Sequence, residues 1–292
     1  MMGRIKNKIL QTILYADLFD YPLTIDEIWR YLHSDKKTTR SELKKELSVL
    51  KKISKKENFY LLKGREGIVE KRIAKQKESE RKIIRAKKVI NMLSLVPTVK
   101  LIGISGSLSV LNSKANDDID LFVIASSGKI WTTRFLLVLF LLMLGSYRRR
   151  GLKKTKDLFC LNMIIDESNF FFTKDKKNIY TAHEIAQLLP IVNKDRAYQN
   201  FIKKNSWIFN FMANFDPPKI RTKKQASLEK IFNSLINLFV FEKIAKTIQI
   251  ALMKKRLGKE ITRDDVLAFH PYDFGQKIIE KYESIITYTR GH

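Results

Sequence analysis

Apolar residues recur at helical spacing near the start of the chain. Ile9, Leu10, Ile13, Leu14 and Leu18 share one face and predict a helix over 7–19. Asp20-Tyr21-Pro22 interrupts that pattern. Thr24 to Glu27 and Thr39 to Glu42 each read as a capping box, a hydroxyl residue followed three positions later by a glutamate. Helices are therefore expected to open at both, running to Leu32 and to about Leu50. Ile53, a polar turn over Lys55 to Asn58 and the apolar run Phe59 to Leu62 predict a short hairpin, with Gly64 and Gly67 bracketing its exit. One long helix is expected from Ile68 to Leu95, ended by Pro97.

Short apolar runs then predict strands at Val99 to Ile104, at about Ile119 to Ile124, and at Asp157 to Asp166. Between the second and third lies Phe135 to Leu144, ten consecutive apolar residues. A membrane span needs about 20, so this segment is expected as a helix buried between the strands it connects. Beyond Asp166 the chain reads helical, with candidates at Ala182 to Leu189, Arg196 to Ala213 and Leu228 to Leu257. Pro217-Pro218 and the basic residues after it read as a turn, and Thr262 to Asp265 as a helix cap ahead of His270.

The densest chemistry lies between Gly106 and Ile124. Gly106-Ser107 follows the first strand, and Asp118 and Asp120 open the second. Residues i and i+2 of a strand point to one face, so the two carboxylates project side by side. Such a pair repels unless a cation sits between them, and Mg²⁺ prefers oxygen ligands. The Gly-Ser turn, with the amides of the short helix expected after it, reads as a phosphate cradle. Gly-Ser, a spacer of about ten residues, then Asp-apolar-Asp-apolar resembles the signature of the nucleotidyltransferase superfamily that includes DNA polymerase beta. The resemblance spans roughly residues 85–170. It implies that Gly106 and Ser107 hold nucleotide phosphates and that Asp118 and Asp120 hold Mg²⁺ or Mn²⁺, with a nucleoside triphosphate as substrate. It also implies a third carboxylate on a neighbouring strand. The mid-strand polar residue there is Asn162, an amide that can orient a ligand but cannot act as a base. Asp157, at the start of that strand, is the other candidate. His270 is expected to be structural.

Three helices followed by a hairpin resembles, in order alone, a winged helix whose third helix would present Arg40, Lys44, Lys45, Lys51 and Lys52. The expected fold class is therefore α+β: a winged-helix-like unit over 1–66, a connecting helix over 67–96, a small mixed nucleotidyltransferase sheet flanked by helices over 97–170, and a C-terminal helical bundle over 171–292. The implied reaction moves a nucleoside monophosphate from an NTP to a hydroxyl of RNA, a small molecule or a protein. The alternative is a nucleic-acid-binding regulator that only senses nucleotide.

Composition adds a partner class. The net charge is +26, and residues 36–100 hold 21 Lys and Arg against 7 Asp and Glu. That concentration of charge favours a polyanion, DNA or RNA, and its lysine bias suits loose phosphate contact. A single cysteine, Cys160, rules out an internal disulfide and is expected to be a packed core thiol. The four histidines are scattered without zinc-ligand spacing. The first residues lack the apolar core of a signal peptide. A cytoplasmic protein with no membrane partner is expected.

Overall fold

The computed structural model describes residues 2–149, 151–152, 154–169, 176–223, 239–254, 261–263, 265–268 and 273–290. It is an α+β protein with two sheets. The first unit runs α1 (Met2–Asp17), β1 (Leu23–Thr24), α2 (Ile25–Arg30), α3 (Arg40–Leu47), β2 (Ile53–Lys56) and β3 (Phe59–Leu62), its antiparallel strands ordered β1-β3-β2. Both capping boxes form, with Glu27 returning to the Thr24 amide and Glu42 to the Thr39 amide, each at 2.8 Å. The hairpin turn is shorter than expected, because Lys55 and Lys56 pair within β2 and Glu57 takes a left-handed φ of 53°. Ile9, Ile13, Ile28, Leu32 and Leu43 form this unit's core.

Helix α4 (Ile68–Leu93) carries two buried cations that fasten neighbouring parts of the chain. Arg72 donates to the carbonyls of Val110 (3.0 Å) and Leu111 (2.6 Å), to Tyr21 Oη (2.9 Å) and to Glu27 (3.0 Å), and it lies over the Tyr21 ring. Lys82 donates to the Asp117 carbonyl at 2.6 Å.

The second sheet is built from β4 (Val99–Ile104), β5 (Ile119–Ala125), β6 (Phe159–Asp166), β7 (Leu189–Asn193), β8 (Ile261–Thr262) and β9 (Val266–Ala268), in the order β7-β4-β5-β6-β9-β8. Only β5 and β6 are parallel, joined by α6 (Ile130–Met143). One face buries Ile102, Ile104, Leu121, Val123 and Ile164 under α4, α6 and α9 (Phe239–Lys254). The other buries Leu101, Phe122, Ile124 and Ile165 under α7 (Ile179–Ala186), α8 (Ala197–Lys204) and a 3₁₀ turn at Ser206–Asn210. Between β4 and β5 lies one helical turn, α5 (Gly106–Ser109), and the last helix is α10 (Asp273–Arg290).

The helical reading of the chain beyond Asp166 needs correction. Strands β7, β8 and β9 come from that region and extend the central sheet at both edges, so it is not a helical bundle alone. Thr262 ends β8 and Asp265 directly precedes β9 where a helix cap is expected, because β9 finds its hydrogen bonds on the edge of β6. The helix expected over Arg196 to Ala213 ends at Lys204 and gives way to the 3₁₀ turn. Helix α6 is not buried all round. Leu137 and Leu141 are, but Leu139, Leu142 and Met143 face outward. His270 and residues 224–238 lie outside the described residues.

Candidate functional site

The site begins where β4 ends. Ser105 donates its amide to the Asp120 carbonyl at 2.9 Å, and the chain then turns at Gly106 with a φ of +63°. A β-carbon on Gly106 would lie 2.8 Å from Asp120 Oδ2. Glycine is therefore required twice over, for the left-handed backbone and for the close approach of the turn to that carboxylate. Ser107 follows, exposed to the same space. Helix α5 is a single turn of four residues, a short helix that opens at Gly106 itself rather than after the Gly-Ser turn, and it is too short to offer a helix dipole of consequence.

Asp118 and Asp120 come together, with Cys160 of β6 as a third neighbour. The ligand atoms of all three lie within 4.8 Å of one another. Asp118 sits one residue ahead of β5, and its Oδ2 forms an ion pair with Arg148 Nε at 2.9 Å. Arg148 Nη1 also lies 3.5 Å from Cys160 Sγ. Burial pushes the Cys160 thiol up to about 12, so it stays protonated at neutral pH.

The register corrects the sequence reading of Asn162. The residue opposite Asp120 on β6 is Cys160. The β5–β6 pairing shifts between Leu121 and Phe122, so that Leu161 and Met163 find partners and Asn162 is the extra residue of a bulge. The bulge aims its amide at the site, where Nδ2 donates to Ser105 Oγ at 3.4 Å. Asp157 is elsewhere. It meets Arg81 at 3.1 Å, Arg85 at 3.3 Å and Lys82 at 3.7 Å, a buried carboxylate that ties the start of β6 to α4.

Gly106, Ser107, Asp120 and Asn162 line one side of a cavity of about 970 Å³. Its other walls include α1, α7, α10, the sheet strands β5, β6 and β9 and the loop after α5, and Tyr15, Phe19, Tyr21, Tyr31, Tyr180 and Phe274 are among its aromatic rings. Glu184 also faces it. Burial, with help from the charge of Asp120, pushes the Glu184 carboxyl up to about 7. Neither Glu184 nor Tyr180 is foreseen by the sequence analysis, which started that helix too late. The available signal is Asn178, whose side chain accepts the Thr181 amide at 2.9 Å and starts α7 early enough to place residues 180 and 184 one turn apart.

Behind the cavity wall a buried polar chain joins three helices to the end of α2. Gln187 Nε2 donates to His183 Nδ1 (3.1 Å), His183 Nε2 meets His33 Nε2 (2.9 Å), His33 Nδ1 meets Tyr282 Oη (2.6 Å), and Tyr282 donates to the Gln11 carbonyl (3.3 Å). One assignment of protons satisfies all four contacts with both imidazoles neutral. Burial supports that state, lowering His183 well below its ordinary value and His33 to about 3. Tyr15 stacks on His183 with ring centroids 4.2 Å apart.

No described helix is long and apolar enough to cross a membrane. The chain matches no protein-family model, no curated protein and no solved structure.

Proposed function

We propose that the chain is a metal-dependent nucleotidyltransferase that moves a nucleoside monophosphate from an NTP to an acceptor hydroxyl. The observation that carries this reading is the closure of the Gly106 turn onto the Asp120 carboxylate at the edge of a large cavity. A glycine packed against an acid, with a serine and a second aspartate beside it, fits phosphates and a divalent ion brought together. The oxygen pair of Asp118 and Asp120 suits Mg²⁺ or Mn²⁺, whereas the protonated thiol of Cys160 does not. When bound, such an ion would neutralise charge developing on the transferred phosphoryl group and on the leaving pyrophosphate. Gly106 and Ser107 would hold the β- and γ-phosphates, and Asn162 would orient the acceptor. The acceptor oxygen bonds the α-phosphorus, the α–β bridge breaks, pyrophosphate departs, and the hydroxyl proton is released.

Two other features bear on partners. The order α1-α2-α3-β2-β3 resembles a winged helix, and Lys44, Lys45, Lys51 and Lys52 are exposed on and after α3. They favour a polyanion such as DNA or RNA at a surface separate from the cavity. Arg148 supports the second reading, a regulator that senses nucleotide without turning it over. Its guanidinium already supplies a positive charge to Asp118, and a thiol stands across from Asp120.

Incubating the full chain with labelled NTPs, Mg²⁺ and total RNA or a small-molecule extract tests the choice. Transfer is expected to give a labelled product that disappears with Asp120→Asn. Nucleotide binding without product, unchanged when Mg²⁺ is withdrawn, would establish the regulator. Absence of both nucleotide binding and product would overturn the two readings together.

A further inference from the structure

Glu184 stands apart from the transfer chemistry just described. It projects from α7 into the cavity, half-buried, and no hydrogen bond or ion pair meets its carboxylate among the described residues. A half-buried carboxylate lining a largely aromatic wall has lost part of its hydration without gaining a partner, and a bound cation relieves that cost. The rings around it are suited to the same task. Tyr15 and Tyr180 lie close enough for the charge of Glu184 to oppose their ionisation. Tyr15 is held flat against His183, and Tyr180 packs edge-on to Phe274 at 6.3 Å. Gly275 lets α10 close onto Tyr180, because a β-carbon there would lie 2.8 Å from the ring. The rings are thus fixed in place before any ligand enters.

We infer that the cavity takes a small organic cation. The ligand bears a protonated amine, which sits between the Glu184 carboxylate and the faces of Tyr15 and Tyr180. Calling this ligand the acceptor rests on the nucleotidyltransferase reading; the binding site itself does not.

Charge and size both favour such a ligand over a nucleic-acid strand in the cavity. Around Glu184 the cavity is negative, and the phosphates of a strand threaded through it would meet that charge without a metal, whereas those of a nucleotide would sit at Gly106 and Ser107 beside one. Its two basic residues are Lys176 and Arg263, and Arg263 is already paired with Asp265 at 3.1 Å. At about 970 Å³ the cavity is at the upper end of the roughly 300–1,000 Å³ range of small-ligand sites. That leaves room for a nucleotide and a second small molecule. Aromatic faces attract ammonium groups most strongly where water is excluded.

The test uses the full chain at one pH, without nucleotide. Tyramine and 2-phenylethylamine are titrated calorimetrically against their neutral counterparts, in which a hydroxyl replaces the ammonium. The amines are expected to bind at least tenfold more tightly than the alcohols. Glu184→Gln should abolish that preference with its melting curve unchanged, and Glu184→Asp should retain part of it. Equal binding of amines and alcohols, no binding of either, or a preference that survives Glu184→Gln would overturn the assignment. Displacement of tyramine by a single-stranded RNA oligonucleotide would overturn it as well. Mg²⁺-dependent ATP binding, measured on the same samples, separates this idea from the transferase reading. An amine preference without ATP binding supports the cation site and removes only the word acceptor. ATP transfer without an amine preference sinks the cation site and leaves the transferase.

Discussion

Arg148 governs what the paired aspartates can hold. Its Nε lies 2.9 Å from Asp118 Oδ2, so a divalent ion at Asp118 and Asp120 must work against a resident positive charge. Arg148→Gln removes that charge and keeps a polar side chain of similar reach. Solvent and salt screening at this part-exposed site hold the repulsion between a divalent ion and a guanidinium about 5 Å away to roughly 1 kcal/mol. The variant is therefore expected to bind Mn²⁺ about fivefold more tightly, as read by electron paramagnetic resonance titration. Weaker or unchanged Mn²⁺ binding would mean that the aspartates serve Arg148 rather than a metal. The side-by-side aspartates are legible in the sequence, because strand alternation is a local rule. Arg148 is not, since its partner is 30 positions earlier and the two meet only after the α6 crossover. Cys160 stands beside the aspartates rather than in the core, and Asn162 reaches the cavity from a bulge, for a similar reason. A bulge adds one residue to β6, and alternation counted along the sequence does not reveal it.

Helix α6 shows how elements depend on one another. Lys129 at its N-terminus offers no side-chain cap. The cap comes from α9, where Glu242 accepts the amides of Trp131 and Thr132, each at 2.8 Å, and the Thr132 hydroxyl. Loss of a capping side chain costs roughly 0.5–2 kcal/mol. Glu242→Ala is expected to fall in the upper half of that range, because two amides lose their acceptor together. Urea denaturation should show the loss as a lower midpoint with an unchanged slope; a shift within error would mean that water replaces the carboxylate. The capping boxes of α2 and α3 are legible in the sequence because their donors and acceptors lie three residues apart. The cap of α6 comes from 110 positions away and leaves no local trace. Strands β7 and β9 are obscure for a related reason. Each is short, β7 contains Pro190, and both are held by edges that the sequence does not display.

At the scale of the molecule, His33 and His183 mark where the N-terminal unit, α7 and α10 meet. The charged and titratable groups around them are Lys8 and Tyr15 of α1, Tyr31 after α2, Glu184 of α7 and Tyr282 of α10. Both imidazoles are held neutral, with folded-state values below that of an unfolded histidine. The unfolded chain therefore takes up protons first as the pH falls. Stability is complete above about pH 6.5 and declines below it, by up to about 1.4 kcal/mol per pH unit for each histidine. Between pH 7.5 and 5.5 the two histidines together should lower the unfolding free energy by roughly 2–3 kcal/mol, the raised carboxyl of Glu184 offsets part of that loss, and His183→Gln should remove about half of the histidine contribution. An equal loss in the variant would place the acid sensitivity elsewhere. The same junction has a consequence for the order of events during synthesis. Helix α1 leaves the ribosome some 270 residues ahead of α10. Tyr282 donates to the Gln11 carbonyl and packs edge-on to Tyr15 at 5.3 Å. Until that pairing is made, the aromatic face of α1 has no lid, and a nascent chain carries Asp118 and Asp120 without an enclosed chamber beside them. The chamber therefore closes only after α10 has been made, and a chain halted before α10 would hold its acids open to water.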